Sequence, residues 1–289
     1  MDSPFQTAIP EISPAPATRI AFCASTGRTA TMHVAKCLDR LPGVVGLHQG
    51  HLVGDAPKPR LPLINVHNRR AWHDPKYAER LVAEKRGLTA LDNAADGAPM
   101  LVDVAFYNAP LLAAIRRRYP DALLFVLFRR CEGFIRSATI VSGEDRLPVG
   151  WPDPSKPLTD REKFISLGRL KPEPNTPDHA SWTNWSAIQR NVWLWATVNG
   201  HLHRFARNHT TCRRLFFEDL VDRPNAFWTA LLSALDRLTP QTLAHCVEFS
   251  KSKSNGRAAY QICPQGSWCA AERAFYAERA RPLEEEIYG

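Results

Sequence analysis

The residues best suited to chemistry lie early in the chain, in the polar turn of residues 25–29, Ser-Thr-Gly-Arg-Thr. An apolar run over residues 20–24 leads into this turn, and the pattern predicts a helix from near Ala30. A helix start presents unpaired backbone N–H groups and the positive end of the helix dipole, which together bind anions, above all phosphate. We therefore predict a phosphate or phosphosulfate site. The residues predicted to bind the anion are Thr26, Gly27, Arg28, Thr29, Ala30, Thr31 and Met32.

Two common nucleotide-binding loops do not match this turn. The loop of nucleotide triphosphatases needs G-x-x-x-x-G-K-[ST], whose lysine reaches the outer phosphates and whose hydroxyl holds magnesium. Here the turn has one glycine, and Arg28 stands in place of the lysine. The dinucleotide fingerprint G-x-G-x-x-G is also absent. A strand–turn–helix without any ligand stays open as the simpler interpretation of the turn alone.

Two later segments favour a ligand. An apolar strand over residues 122–128 ends in Arg129 and Arg130, and a helix with Ser137 follows, so that Arg129 and Ser137 form an R-x(7)-S pair. Parallel sheets bind ligands at the carboxyl ends of their strands, and Arg129 is predicted to lie at such an end. The second segment, residues 214–224, reads as a short strand closed by the acidic pair Glu218 and Asp219.

Together the three segments resemble the sulfotransferase family that uses 3′-phosphoadenosine 5′-phosphosulfate (PAPS). That family has a loop of the form [KR]-S-G-T-T, an R-x(7)-S element and a late Y-E-D-L-like strand end, which residues 217–220 match as Phe-Glu-Asp-Leu. The resemblance implies an α/β fold in a single domain, with a central parallel β-sheet flanked by helices and a P-loop-like strand–loop–helix. It also implies in-line transfer of a sulfuryl group from PAPS, as co-substrate, to a hydroxyl or amine of a small-molecule acceptor, without a metal.

The resemblance also implies individual roles. Arg28 would stabilise the bridging oxygen and the leaving 5′-phosphate, and Arg129 and Ser137 would bind the 3′-phosphate. His33 stands where many cytosolic members have a tryptophan against adenine. The basic segment of residues 251–257 resembles the loop that closes over the 3′-phosphate, through Lys253 and Arg257, although a solvated charged loop is an equal alternative.

The general base stays open between three histidines. Many bacterial members carry a Gly-Leu-His-Glu-like strand end with glutamate as the base, but here residues 46–49 read Gly-Leu-His-Gln. Cytosolic members use the histidine of a Lys-Thr-His run, and residues 65–67 have a similar form without the lysine. The candidates are His48, His51 and His67, with Asp103 as a weaker fourth. A binding protein that has lost its base is the main alternative function, and a P-loop kinase is a more distant one.

Composition agrees with an anionic ligand. The 289 residues carry a net charge of +8, and 44% of them are hydrophobic, as in a globular protein. The basic residues are scattered and no nucleic-acid-binding signature occurs, so we expect no nucleic acid partner. Seven cysteines without a C-x-x-C pair indicate reduced thiols in a cytoplasmic protein. No apolar stretch of about 18 residues and no signal peptide are found, so we expect no membrane partner either. The oligomeric state is open.

Strands and helices are predicted to alternate, which indicates a parallel sheet covered on both faces. We expect a flexible lead over residues 1–18 and one domain over residues 19–289. A Pro-rich loop over residues 141–180 would frame the acceptor pocket, or else is a disordered insertion. Tryptophans and aliphatic residues recur from Trp182 to Phe205 at helical spacing and predict a long core helix. The remaining predicted strands cover residues 44–48, 100–105 and 215–217, and residues 62–67 are either a strand or a loop. The remaining predicted helices cover residues 30–40, 75–85, 109–119, 225–238 and 268–289.

Overall fold

A computed structural model describes residues 19–48, 51–52, 69–83, 100–138, 150–151, 169–252 and 267–289. Within these ranges lies a sheet of six strands in the order β3-β2-β4-β1-β5-β6. The strands are β1 (Arg19–Ser25), β2 (Val44–His48), β3 (His51–Leu52), β4 (Met100–Ala105), β5 (Leu123–Phe128) and β6 (Arg213–Phe216). The five longer strands are parallel, and β3 alone pairs antiparallel, with β2. The predicted lead at residues 1–18 and the run at residues 62–67 lie outside the described residues.

The helices follow the strands along the chain and cover both faces of the sheet. They are α1 (Thr31–Leu38), α2 (Pro75–Leu81), α3 (Leu112–Arg118), α4 (Cys131–Ala138), α5 (Pro177–Ser181), α6 (Ala187–Asn208), α7 (Phe217–Asp222), α8 (Pro224–Leu235), α9 (Pro240–Ser250), α10 (Ala270–Arg279) and α11 (Arg281–Tyr288), with 3-10 turns at Phe106–Leu111 and Trp182–Asn184. The predicted α/β fold with a central parallel sheet flanked by helices is confirmed.

Two hydrophobic cores lie on opposite faces of the sheet. In β1, Ala21 and Cys23 contribute to the core formed with α1, α8 and α9, whereas Phe22 and Ala24 contribute to the core formed with α3, α4 and α6. Every residue of β4 is buried. Because both faces of the central strands are covered, these strands are nearly continuous apolar runs rather than alternating ones, with Asp103 of β4 as the polar exception, and this made them recognisable in the sequence.

The long helix α6 begins later than predicted. Ser186 caps it: its hydroxyl accepts from the backbone N–H of Gln189, whose side chain accepts in return from the backbone of Ser186. This capping box fixes the first turn at Ala187, so Trp182 and Trp185 precede the helix. Both are nevertheless buried in the core, as the tryptophan pattern predicted.

Several other predicted boundaries were wrong. The strand β6 ends at Phe216, and residues 217–220 begin helix α7, because Glu218 and Asp219 suit a first helical turn. The expected helix over residues 109–119 starts as a 3-10 turn that contains Pro110. Part of the expected Pro-rich loop is helical, since Thr176 caps α5. Helix α9 was missed, although Thr239 and a proline after it are typical of a helix start.

The end of α4 is held by a short segment that lies against α6. The backbone N–H of Gly150 donates to the carbonyl of Ala138 at 3.3 Å. The buried side chain of Asn191 then accepts from the backbone N–H of Trp151 at 2.7 Å and donates to its carbonyl at 3.0 Å. A Cβ on Gly150 would lie 2.1 Å from the Asn191 oxygen, so the close approach requires glycine. These contacts fix the helix that carries Ser137.

Candidate functional site

The turn between β1 and α1, residues 26–30, has an unusual backbone. Gly27, Arg28 and Ala30 all have positive φ, of 84°, 56° and 59°. Residues other than glycine adopt a positive φ only at an energetic cost, and such residues cluster at ligand-binding sites. The hydroxyl of Ser25 accepts from the backbone N–H of Gly27 at 3.0 Å and helps to hold the turn. Gly27, the one glycine of this turn, therefore lies at a position with positive φ, where glycine is favoured.

Helix α1 begins without a side-chain cap. Ala30 is its N-cap residue and offers no hydrogen-bonding side chain. Among the described residues, α7, α8 and α11 also start without a side-chain cap, whereas α2, α6 and α9 are each capped by an Asp, Ser or Thr. Beside Ala30, the buried hydroxyl oxygen of Thr29 has no hydrogen-bond partner among the described residues. Buried polar groups normally have partners, so a ligand bound here would satisfy groups that this part of the protein does not.

Three of the predicted site residues come together, and we refer to Arg28, Arg129 and Ser137 as the arginine–serine cluster. The Nε of Arg28 donates to the Ser137 hydroxyl at 2.7 Å. The guanidinium of Arg129 donates through a terminal nitrogen to the carbonyl of Arg28. These contacts join the turn after β1 to the strand end and helix after β5, two segments about a hundred positions apart. Both segments lie at the carboxyl edge of adjacent parallel strands.

The Arg129 guanidinium is closely surrounded. It lies over the ring of Phe217, 4.1 Å from the centroid, and a Cβ on Gly133 would lie 3.1 Å from its Nε. That Nε is buried and has no hydrogen-bond partner among the described residues. Burial lowers the pKa of Arg129 to about 10; Glu218 counteracts this effect and Arg28 adds to it. The side chain still carries its charge at neutral pH, so two guanidinium groups share a small volume that an anion would stabilise.

His33, predicted to lie against adenine, packs on a residue that the sequence did not suggest. Its ring contacts Phe249 of α9 with centroids 4.8 Å apart. Burial, and to a lesser degree the charge of Lys36, lowers the pKa of His33, so the ring is neutral at pH 7. Phe249 was missed because α9 itself was missed. Its place two residues before Lys251, in the segment leading to the basic residues, was the available signal.

Of the three candidate histidines, His48 is the one whose side chain the structure describes. It ends β2, separated from β1 only by β4, and its Nδ1 lies 2.9 Å from the carbonyl oxygen of Val104. Asp103, the weaker fourth candidate, is only 1% exposed, so its carboxylate is shielded from solvent. It accepts a hydrogen bond from the Asn108 side chain at 3.2 Å. The side chain of His51, and the residues His67, Gln49, Lys253 and Arg257, lie outside what the structure describes.

Searches of the described residues for a metal site and for a membrane span gave no candidate. No group of three or more His, Cys, Asp or Glu side chains in those ranges could hold a metal ion. None of the helices among them is both long and apolar enough to cross a bilayer.

Comparisons with known proteins find similarity among solved structures. No family model matches the chain, and no curated protein matches it. Among solved structures, the chain is similar to a sulfotransferase domain from the curacin biosynthetic pathway. The two share 13% sequence identity with a TM-score of 0.47, over 92% of this chain and 98% of that one.

Proposed function

We propose that this protein is a sulfotransferase that transfers a sulfuryl group from PAPS to a hydroxyl or amine of a small-molecule acceptor. The observation that carries the proposal is the meeting of Arg28, Arg129 and Ser137 beside the start of α1, where no side chain caps the helix. A positive cluster built from two strand ends suits a ligand with more than one anionic group. The Thr29 hydroxyl and the Arg129 Nε, which have no hydrogen-bond partner among the described residues, support a fit to such a ligand.

The two halves of the cluster suit two different phosphates. The turn after β1 supplies backbone N–H groups at the start of a helix, together with Arg28, which favours the 5′-phosphosulfate. The segment after β5 supplies Arg129 and Ser137, which we assign to the 3′-phosphate. ATP has no 3′-phosphate, so the second half of the cluster is what would distinguish PAPS from ATP.

Sulfuryl transfer requires little covalent chemistry from the protein, so positioning and charge stabilisation carry the catalysis. The acceptor oxygen or nitrogen forms a bond to sulfur while the bond from sulfur to the bridging oxygen of the 5′-phosphate breaks. The negative charge that develops on that leaving phosphate is stabilised by Arg28 and by the backbone N–H groups of residues 29–32. The proton of the acceptor moves to a base.

We assign the base to His48. A carbonyl oxygen can only accept a hydrogen bond, so the Nδ1 of His48 donates to Val104 and carries the ring proton. That tautomer places the basic lone pair on Nε2, the arrangement a histidine needs to receive a proton. His48 also lies at the same edge of the sheet as the turn after β1.

Calorimetric titration tests the nucleotide class directly. We expect 3′-phosphoadenosine 5′-phosphate (PAP) to bind more tightly than ATP, because only PAP has the 3′-phosphate for Arg129 and Ser137. Preference for ATP would refute the proposal and favour a kinase. Incubation with PAPS and a panel of phenols, alcohols and amines then separates an enzyme from a binding protein, since only the enzyme produces a sulfated acceptor.

A further inference from the structure

The backbone that leads from β5 into α4 is held at three successive polar groups. The indole N–H of Trp195 donates to the carbonyl of Arg129 at 2.8 Å. A carboxylate oxygen of Glu218 accepts from the backbone N–H of Arg130 at 2.9 Å. An oxygen of Glu284 accepts from the backbone N–H of Cys131 at 2.9 Å. The three side chains come from α6, α7 and α11, which are distant from α4 in the sequence.

Each of the two carboxylates is held in turn by a tyrosine hydroxyl. Tyr276 donates to the second oxygen of Glu284 at 2.5 Å, and Tyr288 donates to the second oxygen of Glu218 at 3.0 Å. Burial raises the pKa of both tyrosines, and the neighbouring carboxylates raise it further. The hydroxyls therefore keep their protons and act as donors at any physiological pH.

The carboxylate of Glu284 is nearly inaccessible to water, with 7% of the residue exposed. Burying a carboxylate is costly unless hydrogen bonds compensate for the lost water. Here the Cys131 N–H, the Tyr276 hydroxyl and the positive end of α4 supply that compensation. The protein thus places its own carboxylate at the start of α4, whereas no side chain from the described ranges caps the start of α1.

We propose that Glu284, held by Tyr276, is a positioning residue for Arg129 and Ser137, and that Glu218, held by Tyr288, has the same role. The carboxylates occupy the anion-binding end of α4, so this helix contributes side chains and not its N–H groups to a ligand. They also fix the backbone from which Arg129 emerges and the helix that carries Ser137. The inference rests on the proposed function, because it assigns these residues to recognition of the 3′-phosphate.

The test compares two nucleotides that differ only in that phosphate. Dissociation constants for PAP and for adenosine 5′-phosphate are measured by calorimetry with the full chain. The dissociation constant for adenosine 5′-phosphate divided by that for PAP reports on 3′-phosphate recognition alone, and we call it the ratio. The variants are Glu284→Gln, Glu284→Ala and Tyr276→Phe. The matched control is Glu286→Gln on the same helix, where the carboxylate contacts Arg207 instead.

We expect wild type and the Glu286 variant to favour PAP. In Glu284→Ala the ratio should fall about tenfold, with a smaller fall in Tyr276→Phe, while binding of adenosine 5′-phosphate stays unchanged. Glu284→Gln should retain most of the ratio, because its amide oxygen can still accept from Cys131. If Glu284→Ala does not fold, Tyr276→Phe carries the same test.

The two ways of failing are distinct. Equal losses for both nucleotides, or an unchanged ratio in Glu284→Ala and Tyr276→Phe, would show that these residues only support packing and would overturn this inference alone. A wild-type protein that binds the two nucleotides alike would overturn the proposed function, and this inference with it.

Discussion

At the scale of single residues, Arg28 stands at the centre of the site. Its backbone adopts a left-handed conformation, its carbonyl accepts from Arg129, and its side chain donates to Ser137. One residue therefore links both halves of the arginine–serine cluster. A structural arginine at the surface would have little reason to hold this costly conformation.

Arg28→Ala should remove transfer activity while leaving the protein folded. We expect the turnover number to fall by about a hundredfold or more, because the charge on the leaving phosphate loses its main side-chain partner. The control is Arg117→Ala, whose guanidinium pairs with Glu79 on the surface away from the cluster, and whose activity should stay close to wild type. Turnover and thermal unfolding are measured on both variants. Near-normal turnover in Arg28→Ala would refute the assigned role.

The buried neutral ring of His33 makes stability depend on pH. The pKa of His33 in the folded state lies below its ordinary value of 6.5, so between these two pKa values the unfolded chain binds more protons. The contribution of the neutral His33 to the free energy of unfolding is therefore fully present above about pH 6.5, and it is lost as the solution becomes more acidic. Urea unfolding of wild type and His33→Gln between about pH 7.5 and pH 5.5 should show a smaller fall in the variant. Parallel curves would contradict this prediction.

At the scale of elements, α4 contains a glycine that its own helix does not need. Glycine inside a helix costs about 1 kcal/mol relative to alanine. Gly133 is nevertheless present, and a Cβ there would lie 3.1 Å from the Nε of Arg129. We interpret the glycine as the residue that allows the guanidinium to lie against the helix and over the ring of Phe217.

Gly133→Ala should weaken PAP binding without weakening the fold. The added methyl group would lie 3.1 Å from the Nε of Arg129 and shift the guanidinium by a few tenths of an ångström, so we expect a several-fold higher dissociation constant for PAP. The matched control is Gly200→Ala in α6, where the nearest atoms to an added Cβ are 3.4 Å and 3.6 Å away. The control should gain up to about 1 kcal/mol in the free energy of unfolding and bind PAP as wild type does. Unchanged PAP binding in Gly133→Ala would count against the interpretation.

At the scale of the whole molecule, the site joins segments that pack on different cores. The turn after β1 leads into α1, which belongs to one core, and α4 belongs to the other. A ligand that contacts both segments binds the folded protein and not the unfolded chain. Ligand binding therefore stabilises the entire domain through mass action.

Saturating PAP should raise the thermal unfolding midpoint. At a concentration of one hundred times its dissociation constant, a ligand adds about 2.7 kcal/mol, which corresponds to roughly 5 to 10 °C for a domain of this size. ATP at the same concentration should give a smaller shift, since it lacks the 3′-phosphate. Differential scanning fluorimetry measures both shifts. Equal shifts for PAP and ATP would contradict the assignment of Arg129 and Ser137.

Local patterns determined much of this protein. The apolar runs of β1, β4 and β5 predicted a parallel sheet, because a strand buried on both faces is mostly apolar on both; the buried Asp103 of β4 is an exception that accepts a hydrogen bond from Asn108. The polar turn of residues 25–29, which contains Arg28, was also recognisable, because it stands between an apolar strand and a helix. The spacing of Arg129 and Ser137 also lay within one strand–helix unit.

Only the tertiary structure decided which of these segments meet. The contact between Arg28 and Ser137, the ring of Phe217 beside Arg129, and the cap that Glu284 provides all join residues far apart in the chain. Hydrophobic periodicity describes which face of an element is buried but does not say which neighbour covers it. For that reason the sequence could predict an anion site at one helix start, whereas only the packed chain decided that two arginines and a serine meet beside that start.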